Sequence, residues 1–234
     1  MRLTATYQIG NVEHFKKQVC AWASQFKQAA VLLGNTDPSQ GKYLEYDMLV
    51  GAGALSKTVP TNQCFDALEK YNQQLQDWLF GYLSYDLKNE LEDLSSSNSD
   101  RLQFSQMHFF QPKWVIAVKG NAVQIHFPDN LERKEMHQLF GEIMQYQIHD
   151  WKSHVPKVQA KLAKEDYLQA VEKLQAHIQR GDIYEVNFCQ EYFAEKSTLN
   201  PVTIFNDLYV ISDPDGIVTK YFIVEVDAGM KSMS

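Results

Sequence analysis

The sequence predicts a mixed α/β protein, and three observations carry that reading. The chain opens with strand-like alternation: Leu3, Ala5, Tyr7 and Ile9 lie opposite Arg2, Thr4, Thr6 and Gln8. A helical stripe follows at once, formed by Val12, Phe15, Val19, Trp22 and Phe26. The same pairing of periods returns late in the chain. Leu168, Val171, Leu174 and Ile178 stripe a helix, Gly181 supplies a stop, and Tyr184, Val186, Phe188 and Tyr192 then alternate with Glu185, Asn187, Cys189 and Glu191. The polar side of that last strand reads either as a solvated sheet face or as the lining of a site.

The remaining elements follow in order. Asn11 is placed to cap the first helix. Residues 29–33 form a short buried run, and 34–41 read as a loop. A long strand is expected over 43–55, with Gly51 and Gly53 marking a bulge or a close approach. Phe65, Leu68, Tyr71 and Leu75 stripe a second helix. The nearly unbroken apolar run 78–85 reads as a strand buried on both faces, and 86–94 as a short acidic helix. Residues 95–100 are a low-complexity surface loop. Gly120-Asn121 joins two alternating runs as a tight hairpin, and Met136, Leu139, Phe140 and Ile143 stripe a third long helix. Periodicity is then lost around Lys152, Pro156, Lys157 and Lys161, so 151–163 is the linker between a domain at 1–150 and a second at 164–234. Asn200-Pro201 starts a short helix striped by Ile204, Phe205 and Leu208, residues 212–216 form a turn, and 217–226 a strand.

Composition narrows the function classes. The 234 residues are 44% hydrophobic and 12% aromatic, enough for a sizeable core. Lys plus Arg is 22 against 29 Asp plus Glu, a net charge of −7 with no basic cluster, which disfavours nucleic acid. No apolar run reaches membrane-spanning length, and the first residues alternate like a strand and do not resemble a signal peptide. Cys20, Cys64 and Cys189 lack CxxC spacing and read as reduced thiols of a cytoplasmic protein. The seven histidines share no ligand spacing, so no metal site is predicted. No P-loop, GxGxxG or GxSxG motif is present.

Two stretches carry a family resemblance. The run 167–193, with Gly181, Asp182, Ile183, Tyr184, Val186 and Asn187, resembles the start of the chorismate-binding domain of the component I family. That family comprises aminodeoxychorismate (para-aminobenzoate) synthase and anthranilate synthase. The run 80–90, with Gly81, Tyr82, Tyr85 and Asp86, resembles the Gly-Tyr-x-x-Tyr-Asp segment of its N-terminal domain, nearer to the aminodeoxychorismate branch. The resemblance covers roughly 3–209. It implies a sandwich of sheets flanked by helices, with the second domain incomplete. It also implies a chorismate-using enzyme of folate precursor synthesis, with magnesium as cofactor and a glutamine amidotransferase subunit supplying ammonia. The family's lysine-bearing loop, its magnesium-holding acidic pair and its Pro-x-Gly-Ser turn are not found in these residues. The chain is therefore expected to be truncated, through a frame change after about Tyr209 or as a short paralogue, and inactive alone. No catalytic residue is assigned. An anthranilate synthase fragment and a non-catalytic regulatory or scaffold module remain the alternatives.

The resemblance also supplies the candidate binding residues. The family's tryptophan pocket is marked by Leu-Leu-Glu-Ser on the first long strand, and the matching positions include Leu44, Glu45 and Tyr46. Tyr46 replaces the serine and would fill space an indole needs. Asp213-Pro214 stands as a remnant of the family's Asn-Pro-x-Pro-aromatic turn, and Glu45, Tyr46, Asp213 and Pro214 are the candidate amino-acid-binding set. Tyr85, Asp86, Gly181, Asp182, Tyr184 and Asn187 are read as signature positions with structural roles. Glu185 stands where the family has glutamine and puts a charge on the polar stripe.

Overall fold

A computed structural model describes residues 1–34, 45–95, 100, 103–148, 157–195, 200, 202–205 and 220–225. The chain divides into two units: residues 1–150 with 201–230, and residues 151–200 with 231–234.

The first unit is built on one antiparallel sheet. Its elements are β1 (Arg2–Gln8), α1 (Val12–Ala23), β2 (Gln28–Leu33), β3 (Met48–Thr58), α2 (Cys64–Leu75), β4 (Phe80–Leu83), β5 (Met107–Lys119), β6 (Ala122–Pro128) and α3 (Arg133–Met144). A 3-10 turn at Tyr85–Glu90 follows β4. A late strand at Lys220–Glu225, β9 in chain order, returns to this sheet. The order is β1-β6-β5-β3-β2-β9, and β4 lies beside the early half of β5. Asn11 caps α1 by accepting from the His14 amide, as a short polar side chain at a helix start does. The hairpin falls at Gly120-Asn121, with Lys119 opposite Ala122.

One face of the sheet holds the main core. Phe15, Val19 and Trp22 of α1 and Met136, Leu139 and Ile143 of α3 pack over Val31, Met48, Val50, Ile116, Val118, Val123, Ile125 and Phe127. Val202 and Phe205, from a helical turn at 202–205, join this cluster. The other face carries a smaller cluster, Ala30, Phe80, Phe110 and Val115. Each fully buried large side chain there is worth ~1.5–3 kcal/mol of transfer free energy. The two glycines of β3 have separate causes. A Cβ on Gly51 would lie 2.7 Å from the Phe80 ring, so only a bare backbone admits that ring. Gly53 takes φ +69 beside the register shift between Ala54 and Ser56, where the strand bends.

Three expectations for this unit are revised. The strand expected over 43–55 begins only at Met48, so Glu45 and Tyr46 precede it; residues 35–44 lie outside the described residues. The run 78–85 is not a strand buried on both faces. β4 spans four residues, pairs among the described residues only with β5, and buries Phe80 alone. An apolar run has no period that separates a central strand from an edge, and here the edge wins. The acidic helix expected over 86–94 is the shorter 3-10 turn.

The second unit contains β7 (Gln159–Ala160), α4 (Lys164–Arg180) and β8 (Tyr192–Phe193), with β7 and β8 paired antiparallel. Gly181 ends α4 at φ 80, and its amide and that of Asp182 bond back to the last turn. No residue of α4 is buried. The strand expected from Ile183 is confined to Tyr192–Phe193. Alternation fixes which side chains share a face, but a ladder also needs a neighbouring strand. The described residues supply only the two-residue β7.

Candidate functional site

The predicted binding residues do not assemble into one described site. Glu45 is exposed and Tyr46 half-buried, just ahead of β3. Burial pushes the Tyr46 hydroxyl pKa up, and the hydrogen bond to Glu45 and its charge act in the same direction. The pair is thus engaged with itself. Asp213 and Pro214 lie outside the described residues. Asp47, next to this pair, accepts from the Gly120 amide at 2.6 Å and ties the start of β3 to the β5–β6 hairpin.

The 80–90 segment forms a pinned turn. Leu87 is buried with Cys64 and Met107. The Glu90 carboxylate accepts from the Cys64 amide at 2.8 Å. It serves as the cap of α2, whose own preceding residue, Gln63, makes no side-chain cap. Burial pushes the Cys64 thiol up to about 11, and Glu90 adds to the shift. Tyr85 and Asp86 point outward: Lys88 Nζ sits 3.4 Å from Asp86 and 5.0 Å from the Tyr85 ring centre. Their placement is that of a structural turn with an exposed rim.

A polar network missed in the sequence lies between β1, β5 and the segment after α2. Arg2 donates to Asp77 at 2.6 Å and to the carbonyls of Pro112, Lys113 and His126. Asp77 also accepts from Gln111 at 2.7 Å and from the Trp78 amide at 2.8 Å. Burial pushes the Asp77 carboxyl up, but these bonds outweigh it and hold its pKa below the usual value. His126 bonds Thr4 through Nδ1 at 2.9 Å and buries Nε2 without a hydrogen-bond partner. Burial, then the charge of Arg2, lowers its pKa. The network floors an open cleft of about 770 Å³, walled by Leu55, Leu75, Trp78 and Leu79. All three guanidinium nitrogens of Arg2 donate to the protein, so the network is a clasp holding the chain start to the sheet. A single arginine in an alternating strand gave no sequence signal of this.

In the second unit, Asp182 closes the α4 stop. Its carboxylate contacts His177 at 2.7 Å and Arg180 at 2.9 Å, all on exposed side chains. Tyr184, Glu185 and Asn187 are all exposed. Gly181 and Asp182 are thus brought together, while Tyr184 and Asn187 are not joined to them in a site.

No group of three His, Cys, Asp or Glu residues able to hold a metal ion occurs among the described residues, so no magnesium-holding set can be named there. No helix among them is long and apolar enough to cross a membrane. Cys20 and Cys64 are buried free thiols, and Cys189 is an exposed one. Burial pushes Cys20 up to about 12 against the opposing charge of Lys16.

No curated protein matches the chain. Among solved structures, MenF, the menaquinone-specific isochorismate synthase from Escherichia coli, superposes with a TM-score of 0.45 at 11% identity, covering 90% of this chain and 45% of that one. The chain therefore spans less than half the length of that enzyme. The family profile of the chorismate binding enzymes matches residues 20–215, most of the chain, and the chain belongs to that family.

Proposed function

We propose that the chain is the N-terminal portion of an aminodeoxychorismate synthase component I-type protein, which aminates chorismate at the 4-position in folate precursor synthesis. The observation that carries the branch is the segment 80–90, whose Gly81, Tyr82, Tyr85 and Asp86 resemble that branch more than the anthranilate one. Membership of the chorismate binding family supports the substrate class. Ammonia would come from a glutamine amidotransferase subunit, and magnesium would hold the substrate carboxylate in the complete enzyme. The 234 residues alone would not turn chorismate over, because the family's lysine-bearing loop, acidic pair and Pro-x-Gly-Ser turn are absent from them. The proposed domain division is residues 1–150 as the N-terminal domain, 151–163 as linker and 164–234 as part of the chorismate-binding domain, of which residues 202–205 and 220–225 pack with the first unit.

Fragment complementation tests the reading. The chain is mixed with the catalytic half of an aminodeoxychorismate synthase component I, or with that of an anthranilate synthase component I. Chorismate, magnesium and ammonium are supplied. The first mixture should form 4-amino-4-deoxychorismate above the level of the catalytic half alone, and the second should gain nothing. Rescue of the anthranilate half only would move the chain to that branch. A chain that rescues neither half and binds tryptophan would instead be a regulatory module.

A further inference from the structure

A second cleft, of about 380 Å³, opens on the first unit between the end of α1, β5 and α3. Its floor is aromatic. Trp22, in the last turn of α1, meets Phe26 edge to face with ring centres 4.7 Å apart. Trp114 of β5 and Leu139 of α3 are buried in the same cluster as Trp22, and Phe26 packs against it. Phe26 is also held by β3, because its ring lies 3.3 Å from where a Cβ on Gly53 would stand. These contacts join three elements into one surface.

The rim is acidic. Glu135 and Glu142 line the cleft from one stripe of α3, and the rise of a helix puts their backbones about 10 Å apart along its axis. Each carboxylate is oriented by a neighbour. Glu135 accepts from the Glu132 amide at 2.9 Å, and Glu142 from the Gln138 side chain at 3.0 Å. Among the described residues neither pairs with a cation, and no lysine or arginine lines the cleft. The last turn of α1 carries no basic residue and adds the negative end of its dipole. Lys113 Nζ, 5.1 Å from the Trp114 ring centre, already places a cation on this aromatic surface. The charges and the floor select a ligand. Two separated carboxylates suit two positive centres, and the apolar floor between them suits a methylene chain. An anion is repelled, and a monocation satisfies only one end.

We propose that this cleft binds a linear aliphatic polyamine, with an ammonium group at each of Glu135 and Glu142 and the methylene chain across Phe26, Trp114 and Leu139. The test is calorimetric titration of the full chain with spermidine, whose terminal ammonium groups span that separation. Ethylenediamine, a dication too short to reach both carboxylates, is titrated beside it, each at low and at high salt. The variants are Glu135→Gln, which keeps the capping box of α3, and Glu142→Gln, which keeps a partner for Gln138. Glu69→Gln is the control: Glu69 is an exposed glutamate on α2, outside the cleft, that accepts from Gln73 as Glu142 does from Gln138. Circular dichroism spectra establish that each variant folds. Spermidine should bind saturably at one site per chain, more tightly at low salt, and more tightly than ethylenediamine. Each cleft variant should weaken it about threefold or more, and Glu69→Gln should leave it unchanged. Equal binding of the two amines, or equal weakening by Glu69→Gln, would mean a diffuse response to the chain's net negative charge and would overturn the proposal. No saturable binding of spermidine to the wild-type chain would overturn it as well.

Discussion

Substitution of Gly81 by alanine gives the sharpest test of how the 80–90 segment is built. A Cβ at Gly81 would lie 2.0 Å from the His108 carbonyl oxygen and 2.7 Å from the Phe109 Cα. Both obstacles are backbone of the neighbouring strand, so no side-chain rotation relieves them. β4 must move away from β5, weakening the four residue pairings from Phe80↔Phe110 to Leu83↔Met107 and lifting the Phe80 ring from Gly51. Overpacking commonly costs 1–3 kcal/mol, and an immovable obstacle places this case at the upper end, ~3 kcal/mol. With a urea m-value of ~2 kcal/mol/M, that is a midpoint lowered by about 1.5 M. Tryptophan fluorescence reports it, because Trp78 stacks near Phe80 with ring centres 6.2 Å apart. Gly10 is the control: nothing lies within 4 Å of its Cβ position, and its φ is not positive. Gly10→Ala should leave the midpoint within ~0.5 M, since relief of unfolded-state entropy contributes at most ~1 kcal/mol. Equal midpoints for the two variants would refute the close approach of β4 to β5.

Other outcomes follow from the same structure. His126 has its pKa lowered below 6.5, so the unfolded chain takes up a proton there before the folded one does. Its contribution is fully present above pH 6.5 and is lost as pH falls from there through the folded pKa; denaturation midpoints should drop across that window, and His126→Gln should flatten that part of the profile. Gly181→Val, at φ 80, should destabilise α4 by ~1–2 kcal/mol relative to Gln179→Ala, read as faster amide exchange along the helix, and equal exchange would contradict a left-handed stop. Ellman's reagent at pH 8 should modify Cys189 in the native chain while Cys20 and Cys64, held near 12 and 11, react only after denaturation; rapid reaction of all three would contradict their burial.

The sequence displayed what local periodicity encodes. α1 with its Asn11 cap, α3, the Gly120-Asn121 hairpin and the Gly181 stop were all legible, because each depends on residues within a few positions of one another. Pairing was not legible. The run 78–85 was apolar enough for a central strand, yet it is an edge, and 183–191 alternate without a ladder. Both outcomes depend on what lies alongside, which a single strand's pattern does not contain. The Arg2–Asp77–Gln111 clasp joins three segments distant in the chain, and nothing in Arg2's own neighbourhood signals it. Of the candidate site, the motif positions were legible as residues, but the outward rim at Tyr85 and the self-engaged Glu45–Tyr46 pair emerge only from the fold.

The most direct measurement of the central claim is product chromatography after incubating the purified chain with chorismate, magnesium and ammonium. On the function proposed above, the 234 residues should form neither 4-amino-4-deoxychorismate nor anthranilate above a no-protein blank. Turnover of chorismate to either product, in proportion to the chain added, would contradict the account.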